Sequence, residues 1–194
     1  MRYEKGRKSA SRDRIVEVAA ERFRGDGIAA SGLATIMSDA GLTNGAFYPH
    51  FGSKAELVRE SVMAALDVQA QQLREALASG GPELAIAAYL SAEHRDSPGK
   101  GCASAALLPE IARQPPETRE VFTEHILSLV RLISEAIPPS KDPKGVALAV
   151  YAMLIGALQL ARAVEGTELS DRILAAGKDA AKVLIQSRQE EVAS

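Results

Sequence analysis

Residues 43–54, TNGAFYPHFGSK, carry side chains suited to touching nucleic acid. Thr43 and Asn44 can bond base edges or phosphates, and Gly45 lets a backbone come close. Tyr48 and His50 offer a hydroxyl and an imidazole to phosphate oxygens, and Lys54 adds a cation. Phe47 and Phe51 alternate with them and fit the small core of a three-helix module. This crowding stands out in a chain that is 4% aromatic and has no Trp. Hydrolytic or acid–base chemistry has no such support, because no nucleophile or carboxylate is placed by sequence to partner His50. No phosphate loop, nucleotide fingerprint or nucleophile elbow occurs. His94 and His125 are too far apart in sequence for a metal pair, and one Cys makes no thiolate cluster. No enzyme activity, metal or cofactor is expected.

The elements that must hold these residues read as helices. Ile15, Val16, Ala19, Ala20 and Phe23 share a helical face that Gly25 and Gly27 end. A short second helix follows from Ser31, a plausible N-cap, through Leu33, Ile36 and Met37. Asp39-Ala40-Gly41-Leu42 makes a tight turn around a glycine free to turn left-handed. Thr43 then caps a third helix, Asn44 to about Tyr48, which Pro49 closes. Ser53 and Glu56 form a capping box that opens a long helix to about Ala78. Two short helices across a tight turn, preceded by a basic helix, make a helix-turn-helix. In that arrangement the second helix enters the major groove, and Thr43, Asn44 and Gly45 stand at its head.

Charge agrees. Residues 1–60 carry +2 and residues 61–194 carry −4, and the positive excess lies in the first 24 residues. That arm, with Lys5, Arg7 and Lys8, can gain affinity from counterion release on a phosphate backbone. The single Cys rules out an internal disulfide framework and fits a cytoplasmic protein. The basic start has no apolar stretch behind it, so no secretory signal is expected.

Beyond residue 80 the breaks fall at Ser79-Gly80-Gly81-Pro82, at 96–101 and at Gln114-Pro115-Pro116. A further break falls at 138–141, before Asp142 as N-cap and Pro143 at the first helical position. The expected fold is all-α with about nine helices. Residues 1–55 form the DNA-binding domain, its motif at about 32–51, and 56–194 form a second helical domain. Gly145–Ala161 has no charge, but a helix apolar on all sides is more often buried in protein than in lipid.

The stretch Ile36–Leu57, IMSDAGLTNGAFYPHFGSKAEL, resembles the DNA-binding signature of the TetR/AcrR family of bacterial repressors. The likeness covers about residues 10–60. Gly32 departs from it, standing where the family more often has a larger residue. The resemblance implies a two-domain, all-helical dimer that binds operator DNA and whose larger domain binds a small effector and releases the DNA. Carried residue by residue, it assigns Thr43, Asn44, Gly45, Tyr48, His50 and Lys54 to the DNA face, and we set Ser31, Lys5, Arg7 and Lys8 beside them.

Two expectations concern the second domain. Apolar residues on every side of 145–160 let that helix meet its own domain and a partner at once. Ala149, Ala152, Gly156 and Leu158 are placed at a homodimer interface. The effector is expected among the central helices, lined by Tyr89, Phe122, Ile126, Tyr151 and Ile155. His94, His125, Gln159 and Arg162 serve as polar anchors. Cys102, at the head of a helix near Lys100 and Arg95, carries an alternative reading as a thiol that senses electrophiles or oxidants. Packing is the plainer reading of that residue. A further alternative is an architectural DNA-binding protein with no effector.

Overall fold

The computed structural model describes the backbone of residues 2–193 and the side chains of 8–186. It is all-α, with eight helices and no strand among the described residues. They are α1 (Arg2–Asp26), α2 (Leu33–Asp39), α3 (Lys54–Tyr89), α4 (Ala92–Asp96), α5 (Ala103–Ile111), α6 (Pro116–Ala136), α7 (Pro143–Ala163) and α8 (Thr167–Ala193). Short 3-10 turns lie at Asn44–Ala46 and Pro98–Lys100. Packing divides the chain into two compact units, residues 1–68 with 98–123 and residues 69–97 with 124–194. The 55/56 division expected from the sequence describes where DNA reading ends, and it stands as a proposal about function.

Helix ends follow local chemistry. Ser53 Oγ accepts from the Glu56 amide at 3.1 Å, while the Glu56 carboxylate reaches back to the Gly52 amide at 2.8 Å, one residue earlier than in the usual box. Asp142 accepts from the Gly145 amide at 2.9 Å and Pro143 opens α7. Inside α3, Gly80 and Gly81 leave helical geometry, with Gly81 at φ +66°, so the expected break is a kink before Pro82. The helical run after Pro82 stops at Tyr89, and Ser91 caps the separate α4 by accepting from the His94 amide.

The first unit is built on Ile15, Ala19 and Phe23 of α1, Ile36 and Met37 of α2, Phe47 and Phe51, and Leu57 and Val62 of α3. Leu107 and Ile111 of α5 complete it. The 98–101 loop lies backbone to backbone on α1. Arg24 Nε donates to the Gly99 carbonyl at 2.7 Å, and a β-carbon on Gly99 would stand 3.2 Å from the Glu21 carbonyl oxygen. One on Gly25 would stand 3.8 Å from the Gly99 α-carbon.

In the second unit, α7 and α8 pack along one another, close enough that a β-carbon on Gly177 would meet Ala157 at 2.8 Å. Among the described residues α7 is the one helix long and apolar enough to cross a membrane. One side of it is packed inside its own unit through Val150, Tyr151, Leu154 and Leu158. Arg162 donates to the His94 carbonyl at 2.6 Å and the Arg95 carbonyl at 3.0 Å, which ties the end of α7 to α4. Arg95 in turn pairs with Asp171 at 2.6 Å and donates to Ser170 at 3.0 Å.

Candidate nucleic-acid interface

The turn between α2 and the 3-10 segment fixes what is displayed. Ala40 ends α2, Gly41 takes φ +72°, its amide bonds the Ser38 carbonyl at 3.0 Å, and the Leu42 amide bonds that of Met37 at 2.9 Å. This is a Schellman ending, which needs a residue at ease in the left-handed region. It delivers Thr43, Asn44 and Gly45 to the surface, all three exposed. The expected third helix is one 3-10 turn, Asn44–Ala46, and Thr43 holds the N-cap position without a side-chain cap bond.

The aromatic residues divide as their spacing predicts. Phe47 and Phe51 are buried and stacked at 5.5 Å between ring centroids, whereas Tyr48 is 73% exposed. His50 is half-buried, with Nδ1 enclosed and unpartnered. Burial of the ring, and then the charges of Lys8 and Arg12, hold its pKa below the ordinary histidine value. Lys8 is exposed on the same side, while the side chains of Lys5 and Arg7 lie outside the described residues. The exposed and half-exposed cations of 8–54 thus sit with Asn44 and Tyr48 in one unit.

Two expected residues are placed otherwise. Ser31 is 3% exposed and donates its hydroxyl to the Gly27 carbonyl at 2.7 Å, so it closes the α1–α2 turn. Gly32, not Ser31, is the N-cap of α2. Ser31 is therefore corrected from the DNA-facing set to an internal turn residue. Lys54 is half-buried and donates to the Ile28 carbonyl at 2.8 Å, leaving two of its ammonium hydrogens for another acceptor. No spacing in the sequence points to Glu110, whose carboxylate accepts from the Ile28 and Ala29 amides at 3.2 and 3.1 Å. Nor does any point to Arg12, which lies over the Phe51 ring and pairs with Glu60.

The residues expected at an effector site fall in both units. Cys102 and Phe122 belong to the first, and Tyr89, His94, His125, Ile126, Tyr151, Ile155, Gln159 and Arg162 to the second. Cys102 is 3% exposed and its Sγ accepts from the Ala105 amide, so it is the N-cap of α5 and fits the packing reading. Tyr89 and His94 meet edge to face at 4.8 Å, with His94 Nδ1 bonded to the Tyr89 carbonyl. Burial lowers the His94 pKa, opposed by that bond and aided by Arg162. Tyr151 and Ile155 are buried, and Tyr151 accepts from Gln69 Nε2 at 3.2 Å. Arg162 caps α4 with the carbonyl bonds described above. A separate cleft of about 440 Å³ in the second unit is lined by Ile86, Ile137, Lys182 and Ile185, none of them in the expected set. No group of His, Cys, Asp and Glu suited to a metal occurs among the described residues.

At the expected dimer face, Ala149 and Ala152 are exposed and Gly156 is half-exposed with open space beside it. Leu158 is 0% exposed inside its own unit, and this corrects its place in that set. Leu148 and Leu160 are the large apolar residues that α7 turns outward.

Comparison with known proteins converges on one group. Residues 15–61 match the model of the bacterial regulatory proteins of the tetR family. The transcriptional repressor KstR2 of Rhodococcus jostii (strain RHA1) is 36% identical over 73 residues, 38% of this chain and 36% of that repressor's length. The match thus spans about a third of that relative. Among solved structures, a TetR-family regulator from Cytophaga hutchinsonii superposes with a TM-score of 0.77 at 20% identity, covering 94% of this chain and 96% of that one. Reduced NemR of E. coli superposes at 0.72 and 22%, covering 88% and 96%. These structures share the fold. With the Schellman-ended α2, the exposed Thr43–Gly45 turn and the family match through both, residues 15–61 form the helix-turn-helix module of the tetR family of bacterial regulatory proteins, and the chain resembles the transcriptional regulators of that family.

Proposed function

We propose that the protein is a repressor that binds a palindromic operator as a homodimer, in the cytoplasm, and releases it when a small molecule binds the second domain. The observation that carries the reading is the exposed Thr43-Asn44-Gly45 turn, flanked by an outward Tyr48 and by Lys8, His50 and Lys54. Asn44 is suited to bidentate contact with a base edge, and Tyr48, His50, Lys54 and Lys8 to phosphates. One short reader per chain specifies too little sequence alone. Two related by a two-fold axis, one helical turn or a multiple of it apart, read a palindrome.

The apolar stripe of Leu148, Ala149, Ala152, Gly156 and Leu160 supports α7 as part of the dimer contact. Its small residues allow close helix approach. The buried aromatic and aliphatic residues Tyr151 and Ile155, with Tyr89, His94 and Gln159 nearby in the same unit, support an apolar effector with a few polar groups. The buried, capping Cys102 gives the thiol-sensor alternative less support than this one.

Selection of duplexes from a random-sequence library by the purified protein tests the reading. The expected result is an inverted repeat bound by a dimer and released by a small apolar molecule. A recovered pool without a common sequence, or a protein that binds it as a monomer, overturns the proposal.

A further inference from the structure

Ile28 lies in the turn that joins α1 to α2, and each of its handles is held by a different part of the first unit. Its side chain is 7% exposed in the core. Its carbonyl accepts from Lys54 Nζ at 2.8 Å, at the first residue of α3. Its amide donates to Glu110 Oε2 at 3.2 Å, and the next amide, of Ala29, donates to Oε1 of the same carboxylate at 3.1 Å. Glu110 comes from α5, far along the chain, and can approach because residue 27 is glycine. Gly27 stands at φ +89°, and a β-carbon there would lie 3.3 Å from Oε2. Successive amides aimed at one carboxylate make a charge-assisted pair, about twice as strong per bond as neutral ones.

We propose that Glu110 is a positioning residue for DNA reading, its carboxylate setting the α1–α2 turn and through it the attitude of the helix-turn-helix. The proposal rests on the reading of residues 43–54 as the DNA face. The turn that Glu110 grips is closed by the Ser31 hydroxyl on the Gly27 carbonyl and passes directly into α2. The far end of α2, in turn, launches Thr43 and Asn44. The turn also anchors Lys54, so one carboxylate governs both a base-reading element and a phosphate-facing cation. A neutral amide in its place keeps one acceptor but turns an N–H against the second backbone N–H. Glu110→Gln is therefore worse than a loss of charge alone.

The test compares the full-length wild type, Glu110→Gln and the exposed-site control Glu117→Gln. Each is titrated with the duplex that wild type recovers from a random library and with a mixed-sequence duplex of equal length. Glu110→Gln is expected to lose about tenfold on the recovered duplex, the worth of one well-made charge-assisted contact, and clearly less on the mixed one, where only the Lys54 phosphate contribution is felt. The control is expected to match wild type. Amide exchange at Ile28 and Ala29 is expected to be slow in wild type and faster in Glu110→Gln. Equal loss on both duplexes marks a mere folding role and overturns the proposal, as does unchanged affinity. Should Glu110→Gln fail to fold, fast exchange of both amides in wild type overturns it and slow exchange in Glu110→Asp supports it. Failure of wild type to recover any duplex sinks the DNA face itself, and the proposal with it.

Discussion

Arg12 lies with its guanidinium carbon 4.9 Å above the centroid of Phe51, and the same guanidinium pairs with Glu60. The residue thus ties α1 to both the aromatic core of the helix-turn-helix and the start of α3. Cation–π contact at a partly exposed site contributes about 0.5–1 kcal/mol. Exposed ion pairs add up to about 1 kcal/mol. Arg12→Ala is expected to cost about 1 kcal/mol in urea unfolding, and Phe51→Ala about 3–5 kcal/mol because the ring is core. An Arg12→Ala protein as stable as wild type shows that neither contact holds α1.

Contacts to bases and to phosphates part company in mutants. Asn44→Ala is expected to lower affinity for the preferred duplex and relax preference at one base position by about 1–3 kcal/mol. Tyr48→Phe and Lys8→Ala are expected to weaken every duplex alike, and Lys8→Ala to reduce the salt slope by about one. Titrations at several salt concentrations check both. Undiminished specificity in Asn44→Ala argues against its contact with bases.

Protonation of His50 opposes folding. Its folded pKa lies below the ordinary value of 6.5, through burial first and the charges of Lys8 and Arg12 second. His94 is shifted the same way, mainly by burial. The neutral ring is favoured in the folded state, so this stability is fully present above pH 6.5. It is lost as pH falls through the lowered folded values. Unfolding followed from pH 7.5 to 5 is expected to show declining stability, with a shallower decline in His50→Gln. Equal slopes in the two proteins would remove His50 from the account.

Arg162 holds two carbonyls of α4, and Arg162→Ala leaves them without their charged donor. A hydrogen bond to a charged group is worth about 1.5–3 kcal/mol, so a loss of about 2 kcal/mol is expected in thermal unfolding. Arg162→Lys is expected to recover only part of it, since a point ammonium does not span both carbonyls. A change in effector response without a change in stability returns Arg162 to the role of ligand anchor.

The two sides of α7 make opposite predictions. Leu158→Glu places an unpaired charge in a fully buried site and is expected to unfold the second unit. Leu160→Glu and Ala152→Glu, on the outward stripe, are expected to leave the helices folded and shift sedimentation towards monomer. Helical content by circular dichroism separates the two outcomes. A folded monomer from Leu158→Glu contradicts the packing described for that residue.

Local chemistry was legible in the sequence wherever a residue acts on its near neighbours. Gly41, Ser53 with Glu56, and Asp142 with Pro143 mark helix ends within a few residues, and the structure forms an end at each. The split between buried Phe47 and Phe51 and exposed Tyr48 followed from their alternation. What was not legible depends on distant partners. Lys54 reaches Ile28 and Glu110 reaches the same residue from α5, and no spacing rule joins them. Ser31 has the composition of a cap, and only the Gly27 carbonyl beside it turns its hydroxyl inward. Leu158 and Leu160 are the same residue type in a helix apolar all round, so sequence alone assigns no side to either.

Gly25 and Gly99 have a consequence for transplantation. The loop rests on α1 with Gly99 over the Glu21 carbonyl, where a β-carbon on Gly99 would stand 3.2 Å from that oxygen, whereas one on Gly25 would meet the Gly99 α-carbon at an ordinary 3.8 Å. A graft of a foreign DNA-reading segment onto residues 98–194 therefore tolerates a small residue where Gly25 stands but depends on the host keeping Gly99. With a side chain at position 99 the loop has to ride higher, and Arg24 loses its reach to the Gly99 carbonyl. Compatibility between donor and host thus turns on a host position that has no side chain to compare.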